Sequence, residues 1–284
     1  MYKHRMRQLF FAALLLLLVL PGHAQLFEGT IHWKMEAVIT DPATKAKMEE
    51  AQKKLNDPAT QAQMKELEAK MSDPQFKAMM ESNPQMKTQI EAMLKAAKGG
   101  NVNSFVPTGL EMKTKNGSNL TKMEGGIMDK MEVLYLKDKN ESYRIDRASK
   151  TYSVLPKGDE HQDATKTPEA KVTKTTETKK ILDYTCTKYV VEATYEGKKS
   201  TQIFWTTTDI KDFDMKSMSQ QRFGNSPQRL FYDKIDGVPL RIEMTVPEGN
   251  MIMEVTSLKR HALPAADFAI PTGYKETQLS MFGR

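Results

Sequence analysis

Cysteine is nearly missing: Cys186 is the single one among 284 residues, so no intramolecular disulfide can form. A chain of this size without bridges relies on its apolar core and is no disulfide-rich extracellular module. Histidine is sparse as well. Of five in all, only His32, His161 and His261 lie beyond the first 24 residues, too scattered for an ordinary zinc site. Charge of either sign is not in large excess, with 42 basic and 36 acidic residues giving +6. Lys3, Arg5 and Arg7 sit in an N-terminal stretch without acids, so the remainder carries +3. That is too mild for a nucleic-acid surface. Missing too are Gly-x-Ser-x-Gly, His-Glu-x-x-His, a phosphate loop and a dinucleotide fingerprint. Cys186 has neither a histidine nor an orienting acid placed beside it by the pattern, and it reads as a buried, inert thiol. No enzyme is expected, and no metal or cofactor.

Long apolar runs are confined to Leu9–Leu20, too short for a membrane span of about 20 residues. Lys3, His4, Arg5 and Arg7 precede this run, and Gly22-His23-Ala24 follows it with small residues of the kind a signal peptidase reads. Residues 1–24 are therefore expected to be a signal peptide, cleaved after Ala24. The product should be exported, with a periplasmic location and no membrane-spanning segment.

What is present is a repeat. Asp-Pro recurs at Asp41-Pro42, Asp57-Pro58 and Asp73-Pro74, and Asn83-Pro84 adds a fourth break. Each Asp is placed to cap a helix whose first position is taken by proline, where no N–H is needed. The residue before each proline resists the α conformation, so four short helices are expected rather than one rod. Met48, Ala51 and Leu55 match Met64, Leu67 and Met71 as one stripe per copy. Phe76, Met79 and Met80 follow, then Met86, Ile90, Met93 and Leu94 before Gly99-Gly100 ends the array.

On both sides of this array the period is two. Phe27, Gly29, Ile31, Trp33, Met35, Ala37 and Ile39 share one face of a strand, with His32 on the charged face. After Gly100, strands are expected around Leu110–Met112 and Leu120–Met123, joined by the Asn116-Gly117 turn. Further strands fall at Lys130–Leu136, Tyr143–Ile145, Tyr152–Val154 and Gln202–Thr206, and Val172–Glu192 is β as well, with Ile181–Tyr195 its strongest part. Pro156–Pro168 reads as a polar loop, and Asp209–Gln221 as an irregular crossing carrying Phe213, Met215 and Met218. Arg229–Ile235 and Val238–Val246 flank Asp236-Gly237 as a hairpin, Met251–Leu258 follows, and Leu263–Glu276 closes an edge. The fold class is α+β, mainly antiparallel β: a curved, half-open, barrel-like sheet with a helical insertion. Residues 25–40 and 101–284 form the β domain, and 41–100 the inserted Met-rich array, a lid or arm beside the sheet's first edge.

Three pieces carry a family resemblance: Ile181-Leu-Asp-Tyr-Thr-Cys-Thr-Lys-Tyr189, Ile203-Phe-Trp-Thr-Thr207 and Phe268-Ala-Ile-Pro-Thr-Gly-Tyr274. They resemble a family of exported bacterial domains of uncharacterised function, with Asp183 standing where its Tyr-x-Cys-x-Lys-Tyr strand usually has glycine before it. That family is similar in turn to lipoprotein carriers of the LolA and LolB type. The resemblance implies an open curved sheet whose concave face is covered by helices and holds acyl chains or other apolar ligands. Separately, Asp73–Leu94 resembles the Asp-Pro/Asn-Pro helical repeats of STI-type co-chaperones, which form Met-rich grooves for apolar helices.

The methionine stripe thus has two uses: packing the array onto the sheet or itself, or meeting an apolar partner. A soft-metal site is a third, but no Met-x-Met cluster with a neighbouring histidine occurs in the array. The candidate ligand-binding residues are Met64, Met71, Phe76, Met79, Met80, Met86 and Met93, with Trp33 and Trp205. Trp33 and Trp205 also read as core anchors. The expected occupant is an apolar ligand such as an acyl chain, lipid or lipoprotein; the alternative is a protein client bound through the Met-rich helices.

Overall fold

A computed structural model describes residues 26–82, 84–99, 106–156, 169–195, 198–215, 234–246 and 249–278. The expected leader with its boundary at Ala24, the loop at 157–168, Met218 and the strand segment 229–233 lie outside them.

Strand β1 (Gly29–Ile39) alternates as its sequence does, with Ile31 and Trp33 buried and Lys34 and Glu36 exposed. After it come α1 (Pro42–Asn56), α2 (Pro58–Lys70), α3 (Pro74–Ser82) and α4 (Pro84–Gly99). The Asp-Pro reading is met residue by residue. Asp41 accepts from the Thr44 amide at 2.6 Å, Asp57 from Ala59 and Thr60 at 3.0 and 3.2 Å, and Asp73 from Gln75 and Phe76 at 2.9 and 3.0 Å. Each cap satisfies amides that a helix start leaves free and contributes on the order of 1 kcal/mol.

The sheet continues through β2 (Gly109–Lys115), β3 (Ser118–Glu124), β4 (Glu132–Leu136), β5 (Glu141–Asp146) and β6 (Thr151–Leu155). Then come β7 (Glu169–Ile181), β8 (Tyr184–Tyr195), β9 (Lys198–Thr207), β10 (Val238–Val246), β11 (Gly249–Arg260) and the short β12 (Lys275–Glu276). Among the described residues they make one sheet in the order β12-β6-β5-β4-β3-β2-β1-β11-β10-β9-β8-β7, open at both ends. Every pairing is antiparallel except β12 on β6. At the β2–β3 turn, Asn116 and Gly117 have φ of 53° and 77°, the primed turn that follows strand twist.

Three expectations are corrected. β1 is not at an edge: it pairs with β2 through Trp33↔Leu110 and with β11 through Trp33↔Val255, so the helices leave and re-enter the sheet at its middle. The β stretch 172–195, in which no turn was expected, is a hairpin, because Leu182 takes φ 51° and reverses the chain between β7 and β8. Ile235 is no strand partner of β10, whose two sides are taken by β9 and β11; it sits buried beside the sheet instead.

Two apolar clusters hold the molecule. The larger gathers Phe27, Ile31, Trp33, Leu110, Met112, Tyr189, Val191, Phe204, Ile242 and Val255 with Ile210, Phe213 and Ile235 from the β9–β10 crossing. The smaller joins Leu120, Leu134, Leu136, Tyr143 and Ile145, onto which the C-terminal segment lays Phe268, Ile270 and Tyr274. The expected closing edge therefore crosses the sheet as a cover before β12 pairs with β6 at Lys275↔Thr151.

Candidate functional site

Strand alternation and register together define a front face, the side of the sheet that carries Trp33. One cross-strand row on it runs Val172–Val191–Gln202–Met244–Met251–Ala37. The next row runs Tyr189–Phe204–Ile242–Met253–Met35. Val191 and Phe204 are wholly buried, whereas Met35, Met244, Met251 and Met253 are each half-buried. Gln202 is the polar member of the first row. It is 8% exposed, and its Oε1 is buried with no hydrogen-bond partner. A buried acceptor left so costs about 1–3 kcal/mol, so a native fold keeps one only where something offsets it.

The front face is covered near its other end by the crossing after β9. Phe27 donates its amide to the Asp212 carbonyl at 2.8 Å, and its ring meets that of Phe213 at 5.5 Å. Arg260 lies 4.8 Å from the Phe27 ring and clamps the Asp212 carboxylate with both Nη groups, which holds that carboxyl below its usual range.

The back face of the same strands is ionic. Arg241 donates to Glu243 at 2.7 Å and to Glu254 at 2.5 Å, and the Trp205 indole donates to Glu243 at 3.1 Å. Lys188 lies 5.8 Å from the Trp205 ring and pairs with Glu177 at 2.9 Å. Burial works against ionisation of Glu243, but Arg241 and the indole outweigh it, and the carboxyl lies below its ordinary range. These charges are spent on one another. An open pocket of about 450 Å3 near Asn116, Leu136 and Phe268 is similar: Lys115 there bonds Glu28 and the Leu263 carbonyl, and Lys137 bonds Asp214.

The predicted site residues do not converge. Trp33 is 3% exposed within the larger cluster, while Trp205 is half-buried on the opposite face. Met64, Met71, Phe76 and Met86 are half-buried along the array, and Met79 and Met93 are exposed at 42% and 41%. Met80 is buried with Leu94 and Ala97, yet none of these belongs to either cluster of the sheet. The array packs on itself: Gln61 of α2 reaches the Ala97 carbonyl at 3.3 Å, and Lys98 pairs with Glu68. Toward the sheet, α4 touches the 3-10 turn Gly126–Met128, with Lys95 paired to Asp129 at 3.4 Å. The residues the sequence reading passed over are Met35, Met244, Met251, Met253 and Gln202. Their alternation was visible in the sequence, but only register brings them into two rows.

Cys186 is fully buried, in one cluster with Ile181 and Val238. Burial pushes its thiol up to about 11, and nearby Asp209 and Glu254 add to the shift. The thiolate is the reactive form, so the folded protein should show no reaction with a disulfide reagent at pH 8 and one equivalent in denaturant. Fast modification of the native protein would contradict the buried placement. Among the described residues no three or more His, Cys, Asp or Glu side chains converge as a metal site, and no helix is long and apolar enough to cross a membrane.

An α+β chain built on one open, mainly antiparallel sheet, with helices inserted between two paired central strands, is the class that these features define. The chain belongs to the family described as Domain of unknown function (DUF4412), whose model matches residues 78–274. The match begins inside α3 and runs to Tyr274, so it takes in α4 and every strand from β2 to β11. No curated protein matches the chain.

Proposed function

We propose that the protein is an exported, periplasmic binding or carrier protein for an apolar ligand, an acyl chain or the lipid part of a lipoprotein, and that it carries out no catalysis. The observation that carries this reading is the half-buried methionine set of the front face, Met35, Met244, Met251 and Met253, at neighbouring positions of three paired strands. Methionine is unbranched and polarizable, so such a surface re-forms around guests of varied shape. Removing roughly 300 Å2 of apolar surface from water is worth about 7 kcal/mol before the cost of association, enough for useful capture. The sheet would act as a curved, half-open scaffold of the LolA and LolB type. Sequestration, not chemistry, would be its mechanism.

The test is organic extraction of protein purified from a bacterial periplasm, followed by mass spectrometry. An acyl lipid present at near one equivalent is expected. Its consistent absence from protein purified without detergent would sink the carrier reading.

A second reading rests on a separate observation, the exposure of Met79 and Met93 on α3 and α4. In it the array holds an apolar protein segment. Replacing residues 41–100 by a short turn separates the two. No residue of the array belongs to either apolar cluster, so the excised protein should still fold. Retained lipid favours the front face; loss of client capture with lipid retained favours the array.

A further inference from the structure

The geometry points to Gln202 as the polar anchor of the front-face site: its side-chain carbonyl accepts a hydrogen bond from a ligand that pairs an apolar chain with a neutral hydroxyl group. This rests on the carrier reading above and names the chemistry that such a site selects.

Three observations meet at this residue. Gln202 sits in the middle of a six-strand row whose other members are Val172, Val191, Met244, Met251 and Ala37. Its cross-strand neighbours Val191 and Met244 and the next residue of its strand on this face, Phe204, are apolar, and the Ser200 hydroxyl on its other side is turned to the Ala193 carbonyl, so packing alone gives no reason for an amide there. Its Oε1 is buried without a partner, although the residue is more than nine-tenths buried. Buried acceptors are almost always satisfied, and an orphan among half-buried, deformable methionines is placed for a donor that arrives with a guest.

The sign of the interaction narrows the guest. A carbonyl oxygen accepts, so it rewards a hydroxyl and gives nothing to an ether, an ester or a carboxylate. A site that holds a buried polar atom for a substrate hydroxyl discriminates against the analogue lacking it, because the atom is then left unpaired. The ligand class is therefore a long-chain alcohol or an acylglycerol with a free hydroxyl, rather than a fatty-acid anion.

The experiment is displacement of a fluorescent apolar probe from the purified protein by dodecanol and by methyl undecyl ether. These have the same length and heavy-atom count and differ only in the donor. The wild-type protein should prefer the alcohol by about tenfold, the worth of one buried hydrogen bond. Gln202→Leu should bind both equally and, having lost the unpartnered oxygen, should melt higher without ligand. Gln202→Met, unbranched like glutamine, repeats the comparison should the leucine disturb its neighbours. Equal binding of alcohol and ether by the wild type would overturn the inference and leave the carrier reading standing, as would a preference that survives both substitutions. If neither compound displaces the probe, the carrier reading itself fails and takes this one with it.

Discussion

Phe27→Ala should lower stability by about 3–5 kcal/mol, the usual cost of emptying a fully buried aromatic position. In a chain of this size that is a melting midpoint roughly 6–15 °C lower. Phe27 is 0% exposed, although it lies two residues outside β1. Three contacts converge on it. The amide bonds the Asp212 carbonyl, the ring packs on Phe213, and the Arg260 guanidinium covers the other side. Removing the ring takes away the partner of both Phe213 and Arg260. It also frees one end of the crossing that covers the front face. Circular dichroism melts of Phe27→Ala and Phe27→Leu make the measurement, the leucine variant keeping most of the apolar volume and losing roughly half as much. A loss below about 1 kcal/mol in the alanine variant would mean that the Phe27 ring does not pin the crossing.

The parts of the fold that were legible in the sequence are those fixed by neighbours in the chain. Asp41, Asp57 and Asp73 cap helices because a carboxylate three residues before a free amide needs nothing else. Asn116-Gly117 turns because both residues tolerate positive φ. What was not legible depends on distant partners. The central place of β1 comes from its pairing with β11, more than 200 residues away, and no local pattern distinguishes a central half-buried strand from an edge one. The Leu182 reversal escaped notice because leucine is a poor residue for φ 51° and carries no turn signal. The array's methionines are dense and periodic, but only Met80 is buried, Met79 and Met93 are exposed, and none belongs to a cluster of the sheet. The front-face methionines are spread over β1, β10 and β11, and the isolated Gln202 resembles any polar strand residue until its register is known.

Gly237→Ala tests the other end of the same crossing. Gly237 has φ +83°, and a Cβ added there would lie 2.3 Å from the Thr207 carbonyl oxygen and 2.7 Å from its carbon. Both are backbone atoms at the point where β10 begins to pair with β9 through Val238↔Thr207, so neither can swing aside as a side chain would. The left-handed conformation costs an L residue about 1–2 kcal/mol, and separating the clash means breaking the first rung of the β9–β10 ladder as well. A total loss of about 3 kcal/mol is expected, among the larger effects for one added methyl group. The neighbouring Asp236 supplies the control. It accepts from Tyr189 at 2.9 Å and Lys174 at 3.2 Å, which hold its carboxyl below the usual range, but it is exposed, so Asp236→Ala should cost under about 1 kcal/mol. If the two variants melt together, backbone strain at Gly237 is not what fixes the turn. If Gly237→Ala alone is weakened and binds more of an apolar dye than the wild type, the loosened crossing has uncovered the front face, as the two pins at Phe27 and Gly237 require.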